Sequence, residues 1–129
     1  MFNIKASIKL NRLLFASMLL FFTAKTHAAD PTYNSYRDKG AVRGHDVVAY
    51  FSLPEGAPAV SGKPEYMVIW QDVPWYFSTE ENLLAFKKNP EAYAPQFGGY
   101  CAFAASKNFT TSIRPDSWTI YEGKLYLNH

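Results

Sequence analysis

Glu65-Tyr66-Met67-Val68-Ile69-Trp70-Gln71-Asp72-Val73-Pro74-Trp75-Tyr76-Phe77-Ser78-Thr79-Glu80-Glu81 sets the fold class. Glu65 to Trp70 and Val73 to Phe77 are rich in β-branched and aromatic residues, which favour strands. A two-residue polar break, Gln71-Asp72, separates them, so together they read as an antiparallel hairpin. Pro74 donates no ladder hydrogen bond and belongs near a strand start or on an edge. Both runs are apolar almost throughout, which implies cover on both faces. The tail, Ser78-Thr79-Glu80-Glu81, has the form of a capping box. Ser78 serves as cap and Glu81 reaches back. The helix it opens runs through Leu83, Leu84 and Phe86 and ends at Lys87-Lys88, cations suited to the negative end of the dipole.

Downstream, Asn89-Pro90 closes that helix and opens a short second one, because proline is tolerated at a first helical position. The second helix stops before Pro95. Gly98-Gly99 leads into Tyr100 to Ser106, an alanine-rich helical run with Cys101 in its opening turn. Lys107 to Ser117 reads as loop. Trp118 to Tyr121 and Lys124 to Leu127 flank Glu122-Gly123, a two-residue hairpin turn. Upstream, Val47 to Phe51 after Gly44-His45-Asp46 reads as a short strand, and Ser52 to Lys63, with two prolines and two glycines, as a loop. The expected architecture is a small α+β domain over residues 41–129, with antiparallel hairpins packed on two or three short helices.

The 129-residue chain opens with a basic stretch, an apolar run from Leu13 to Ala24, and small residues up to Ala28. That order is the pattern of a secretory signal peptide over 1–28, and the run falls short of the roughly 20 apolar residues of a span. Residues 29–40 read as an extended lead-in. The expected location is periplasmic or secreted, with no membrane attachment after cleavage. Of 13 Lys and Arg, four lie before residue 29 and no acid does, leaving 9 bases against 11 acids. Such a balance excludes the concentrated positive field of nucleic-acid binding.

One cysteine cannot form an internal disulfide, so stability rests on packing, to which the 17% aromatic content contributes. Cys101 has two readings. At a helix N-terminus its thiolate would be stabilised and would suit Cu(I) or Zn(II). Packed behind Gly98-Gly99 it would be a small buried hydrophobe. His45 is the second candidate metal ligand, with Asp46 beside it to orient the imidazole. Two ligands fall short of the four of a structural zinc site, which leaves an open copper site completed by Met67 or solvent. His129 ends the chain. A Cys101–His45 nucleophile pair, with Asp46 and the Gly98-Gly99 amides in support, is a further arrangement that nothing in the spacing demands. The aromatics between Tyr50 and Phe103 read as core or as the lining of a ligand pocket. No catalytic residue is assigned.

Gly44-His45-Asp46-Val47-Val48-Ala49-Tyr50-Phe51, the stretch Trp75 to Phe103, and Gly123-Lys124-Leu125-Tyr126-Leu127-Asn128 resemble the YHS-domain proteins, in particular the secreted, stand-alone bacterial type. The resemblance implies a compact domain over roughly Ala41 to Asn128. It also implies transition-metal handling, copper above all, here through the single thiol. Shorter YHS modules carry metal-binding cysteines at three positions that fall on Ala49, Ser78 and Asn82 in this chain, none of which is a thiolate ligand. Relatives also continue into a tryptophan-containing helix beyond the last strand. The alternative expectation is a non-catalytic module that binds a protein or small molecule and keeps its cysteine buried.

Overall fold

The computed structural model describes Tyr33 and residues 39–129. The signal segment 1–28 and most of the lead-in 29–40 lie outside the described residues. Two antiparallel hairpins and three short helices make an α+β fold. The order is β1 (Lys63–Trp70), β2 (Val73–Phe77), α1 (Glu80–Lys88), α2 (Pro90–Tyr93), α3 (Ala102–Ser106), β3 (Arg114–Tyr121) and β4 (Lys124–Asn128), preceded by 3-10 turns at Ala41–Gly44 and Ala49–Ser52.

The β1–β2 register pairs Met67 with Tyr76 and Trp70 with Val73. Its turn residues Gln71 and Asp72 both have positive φ, at 53° and 60°, the pairing that matches strand twist in a two-residue hairpin. Contrary to the two-faced cover expected, β1 alternates, with Met67 43% and Ile69 58% exposed. A two-stranded ribbon presents one face to the core and leaves the other in solvent. In the second hairpin, Trp118 pairs with Leu127 and Tyr121 with Lys124 across Glu122-Gly123. β3 begins at Arg114 rather than at Trp118, because an irregularity between these residues lets the chain rejoin β4 after a break in register.

The two hairpins form separate sheets, so side chains and connecting loops hold them together. Phe86 of α1 packs against Trp75 at 4.9 Å and Phe77 at 5.0 Å, ring centre to ring centre, and Trp70 meets it edge-on at 5.7 Å. Aromatic pairs in these arrangements add about 0.5–1.5 kcal/mol beyond the area they bury. In the other half, Tyr50 lies 5.2 Å from Trp118. The polar tips are satisfied: the Trp75 indole donates to Trp70 O, the Trp118 indole to Ala57 O, and the Tyr50 hydroxyl to Pro115 O. Ile113, Leu125 and Leu127 belong to the same buried cluster. Segment 52–62 ties the halves together. Gly62 N–H donates to Gly44 O, and Ala59 N–H donates to the Asp116 carboxylate.

The strand expected over Val47–Phe51 is instead the 3-10 turn Ala49–Ser52. Local β-propensity loses to Asp46, whose Oδ1 accepts the N–H groups of Val48 and Ala49 and bends the chain. The cap of α1 also differs from the sequence reading. Thr79, not Ser78, is the N-cap, and its hydroxyl accepts from Asn82 N–H at 3.1 Å. Ser78 is engaged elsewhere. Cys101 occupies the N-cap position of α3, one residue before its first turn.

Candidate functional site

The most concentrated polar arrangement centres on Asp46, which is fully buried. Oδ1 accepts from Val48 N at 2.9 Å and Ala49 N at 3.0 Å. Oδ2 accepts from Ser78 N at 2.8 Å, Ser78 Oγ at 2.7 Å and Asn82 Nδ2 at 2.8 Å. A buried carboxylate is tolerated only when charge-assisted hydrogen bonds replace its lost hydration. These five donors do that, drawn from the 3-10 turn, the end of β2 and the opening of α1. Asp46 N–H itself donates to Val60 O. One carboxylate thus fixes three segments against one another.

Ala49, Ser78 and Asn82, the positions that the YHS resemblance singles out, all touch this carboxylate. Every group aimed at it is an N–H or O–H donor. A cation placed there would lose the lone pairs to those donors and face their positive ends, so the residues at these positions do not fit a metal ion. The sequence reading of Asp46 as the orienting partner of His45 is likewise overturned, since both oxygens are engaged by other groups. His45 Nδ1 instead lies 3.0 Å from Val42 O. A carbonyl only accepts, so Nδ1 carries the proton in this contact. Asp46 is equally occupied as the support of a Cys–His nucleophile pair.

Cys101 is 3% exposed and belongs to the hydrophobic core. Its N–H donates to Thr111 O. Among the described residues, the one polar contact of Sγ is Asn128 Oδ1 at 3.9 Å, and that oxygen already accepts from Phe103 N at 3.1 Å. Glycine geometry explains the approach: Gly98 and Gly99 both have positive φ, at 62° and 83°, and turn the chain inward just before the cysteine. Met67 points to solvent from β1, and His129 meets Ser112 Oγ at 3.4 Å on the surface. Among the described residues, Cys101 and His45 share no hydrogen-bond partner. Among the described residues, no three His, Cys, Asp or Glu side chains gather as a metal-holding group.

Asp46 is the residue whose part the sequence reading missed. The available signal was an Asp placed two and three residues before N–H groups of a turn, the geometry of an N-cap. The apolar run that follows reads as a strand and hides it. Tyr50 borders the same region; burial, then the charges of Asp116 and Asp46, push its phenol upward. None of the helices described is long and apolar enough to cross a membrane. No protein-family model, curated protein or solved structure matches the chain. The fold and the site therefore define its class by themselves: a small aromatic-cored α+β domain knit around a buried carboxylate.

Proposed function

We propose that the chain is an exported YHS-type domain that acts as a non-catalytic binding module, with Cys101 as a structural part of its core. The observation that carries this reading is the convergence of Ala49, Ser78 and Asn82 on Asp46. Residues up to 36 apart in sequence, singled out by resemblance alone, share one partner. This supports the family reading. The same observation argues that hydrogen bonding to a carboxylate does here what thiolates do for a metal in the shorter modules. Burial of Cys101 supports the reading of its thiol as packing rather than ligation.

The test is a Cu(I) and Zn(II) titration of the reduced protein and of Cys101→Ala, alongside reaction of the thiol with a chromogenic disulfide. The expected result is no sub-micromolar binding and a thiol that reacts only on unfolding. Sub-micromolar binding that disappears in Cys101→Ala would replace this reading with copper or zinc handling through the thiol.

A further inference from the structure

The edge of β3 that faces away from β4 carries backbone groups the fold leaves unused. In an antiparallel ladder, opposite residues alternate between pairs that exchange both hydrogen bonds and pairs whose N–H and C=O groups point away from each other. Ile120 stands opposite Leu125, and Trp118 opposite Leu127. The Leu125 carbonyl accepts from Gln96 N–H at 2.8 Å, a partner outside the hairpin. Leu125 thus turns its backbone groups away from β3, and Ile120 must turn its own away from β4. The turn agrees. Glu122 and Gly123 have φ 48° and 73°, and such a two-residue loop is closed by a hydrogen-bonded pair. That pair is Tyr121 with Lys124, so the next one, Ile120 with Leu125, points outward. Among the described residues, no backbone group outside the hairpin meets the N–H or C=O of Ile120.

A cavity of about 200 Å³ opens at this edge. Trp118, Thr119 and Ile120 all line it, although consecutive side chains of a strand point to opposite faces. Burial follows that alternation, with Thr119 exposed between two more buried neighbours. Space that touches all three therefore lies alongside the strand, and β4 holds the other side. Phe51, Leu53 and Glu55 form the facing wall. Phe51 and Leu53 are half-buried, and Phe51 is braced edge-on by Tyr93 at 5.3 Å. Nearer the start of β3 the edge is already covered, because Ala59 N–H donates to the Asp116 carboxylate and the Trp118 indole donates to Ala57 O. The cavity opens where that cover ends.

Outward N–H and C=O groups at a strand edge match the backbone of another strand, which is why exposed edges act as pairing templates. Peptides bound in this way gain affinity from main-chain hydrogen bonds and specificity from pockets for alternate side chains. Here the pocket has an apolar wall with one carboxylate. We propose that residues 118–120 of β3 bind an extended peptide of a partner protein by strand addition. One apolar side chain of the peptide seats against Phe51 and Leu53, and a neighbouring basic one faces Glu55. The assignment rests on reading the chain as a non-catalytic binding module and names the partner class of that module.

The test uses the capped peptide Val-Lys-Val-Lys-Val, with a copy N-methylated at every residue as control, read by amide NMR and hydrogen exchange. In the free protein the Ile120 amide is expected to exchange at least about tenfold faster than the amides of Thr119 and Tyr121. Saturating peptide is expected to slow it at least about tenfold, and the N-methylated copy is expected to leave it unchanged. Glu55→Lys, at an exposed position, is expected to weaken binding about twofold to fivefold and to prefer Val-Glu-Val-Glu-Val, with an unchanged denaturation midpoint. An Ile120 amide already protected in the free monomer, no peptide-induced change by about 5 mM, equal binding of the N-methylated copy, or an unreversed charge preference would overturn the proposal. Ile120 protection that rises with protein concentration, together with a dimer in sedimentation, would also overturn it and give the edge to a second copy of the chain. The thiol and Cu(I) measurements on Cys101 do not involve this edge. A silent peptide titration with an inert thiol therefore sinks the strand-addition site alone, whereas a Cu(I) site at Cys101 sinks the module reading.

Discussion

Replacing Asp46 separates a carboxylate hub from an ordinary buried polar residue. Consider Asp46→Asn first. The amide oxygen, placed at Oδ1, keeps Val48 N and Ala49 N satisfied. The new NH2 then stands where Oδ2 accepted from Ser78 N, Ser78 Oγ and Asn82 Nδ2. The Ser78 hydroxyl can rotate to accept, and the Asn82 amide can flip. The Ser78 backbone N–H can do neither, and an orphaned donor costs about 1–3 kcal/mol. Asp46→Ala removes the acceptor for all three backbone N–H groups in a site sealed from solvent. Water entering the void recovers part of the loss, which leaves about 3–5 kcal/mol. The order expected is wild type, then Asn down by about 2 kcal/mol, then Ala down by about 4 kcal/mol.

Against a total stability of about 5–13 kcal/mol for a domain of this size, both changes are large. Urea denaturation read by tryptophan fluorescence resolves them. With m about 1–2 kcal/mol/M, the midpoint should fall by about 1–2 M for Asn and about 2–4 M for Ala. If Asn lies within about 0.5 kcal/mol of wild type, the range of an ordinary surface substitution, Oδ2 does not accept three hydrogen bonds, and the hub as described is wrong. If Ala is no worse than Asn, the two hydrogen bonds to Oδ1 contribute nothing and the 3-10 turn forms without them.

Further outcomes follow from other parts of the molecule. Tyr50 has its phenol raised above the ordinary value of about 10 by burial, Asp116 and Asp46, so the folded state holds this proton more tightly than the unfolded chain. Its contribution is complete below pH about 10 and is lost as pH rises beyond it; Tyr33 adds to the same limb. Tyr50→Phe should make the alkaline fall in stability shallower, and an unchanged slope in urea denaturation above pH 10 rejects the assignment. Gly62 admits no side chain, since a Cβ there would lie 2.4 Å from Tyr76 Cβ and 2.5 Å from its backbone carbon. Gly62→Ala should cost about 2–4 kcal/mol, and a melting temperature lowered by less than about 5 °C contradicts that crowding. Finally, Ala49→Cys, Ser78→Cys and Asn82→Cys combined should create thiolate ligation of Co(II), visible as a sulfur-to-metal absorption band. A colourless but folded variant would remove the main support for the YHS reading.

The hairpins and helices were legible because their signals are local. Gln71-Asp72 and Glu122-Gly123 sit between β-rich runs, and Asn89-Pro90 punctuates two helical stretches, so neighbours in sequence suffice to place β1, β2, β4, α1 and α2. Where partners are distant, the local signal misleads. Val47-Val48-Ala49-Tyr50-Phe51 reads as a strand on propensity, yet Asp46 takes two of its N–H groups and the run coils. Ser78 has the composition of a helix cap, yet the same carboxylate, 32 residues earlier, claims its hydroxyl and hands the cap to Thr79.

Both misreadings share one cause, and it also accounts for the treatment of Gly44-His45-Asp46. Adjacent His and Asp invite a reading in which the carboxylate serves the imidazole. A carboxylate that is fully buried, however, needs several strong donors at once, and a neighbouring imidazole can offer one. The requirement is met only by backbone N–H groups ahead of it and by Ser78 and Asn82 across the fold. The polar residue at this place is therefore decided by what the hairpin end and α1 can donate. Any substitution at Ser78 or Asn82 that removes donors should be felt at Asp46 and in the 3-10 turn, but not in the hydrogen bonds that Cys101 makes with Thr111 and Asn128.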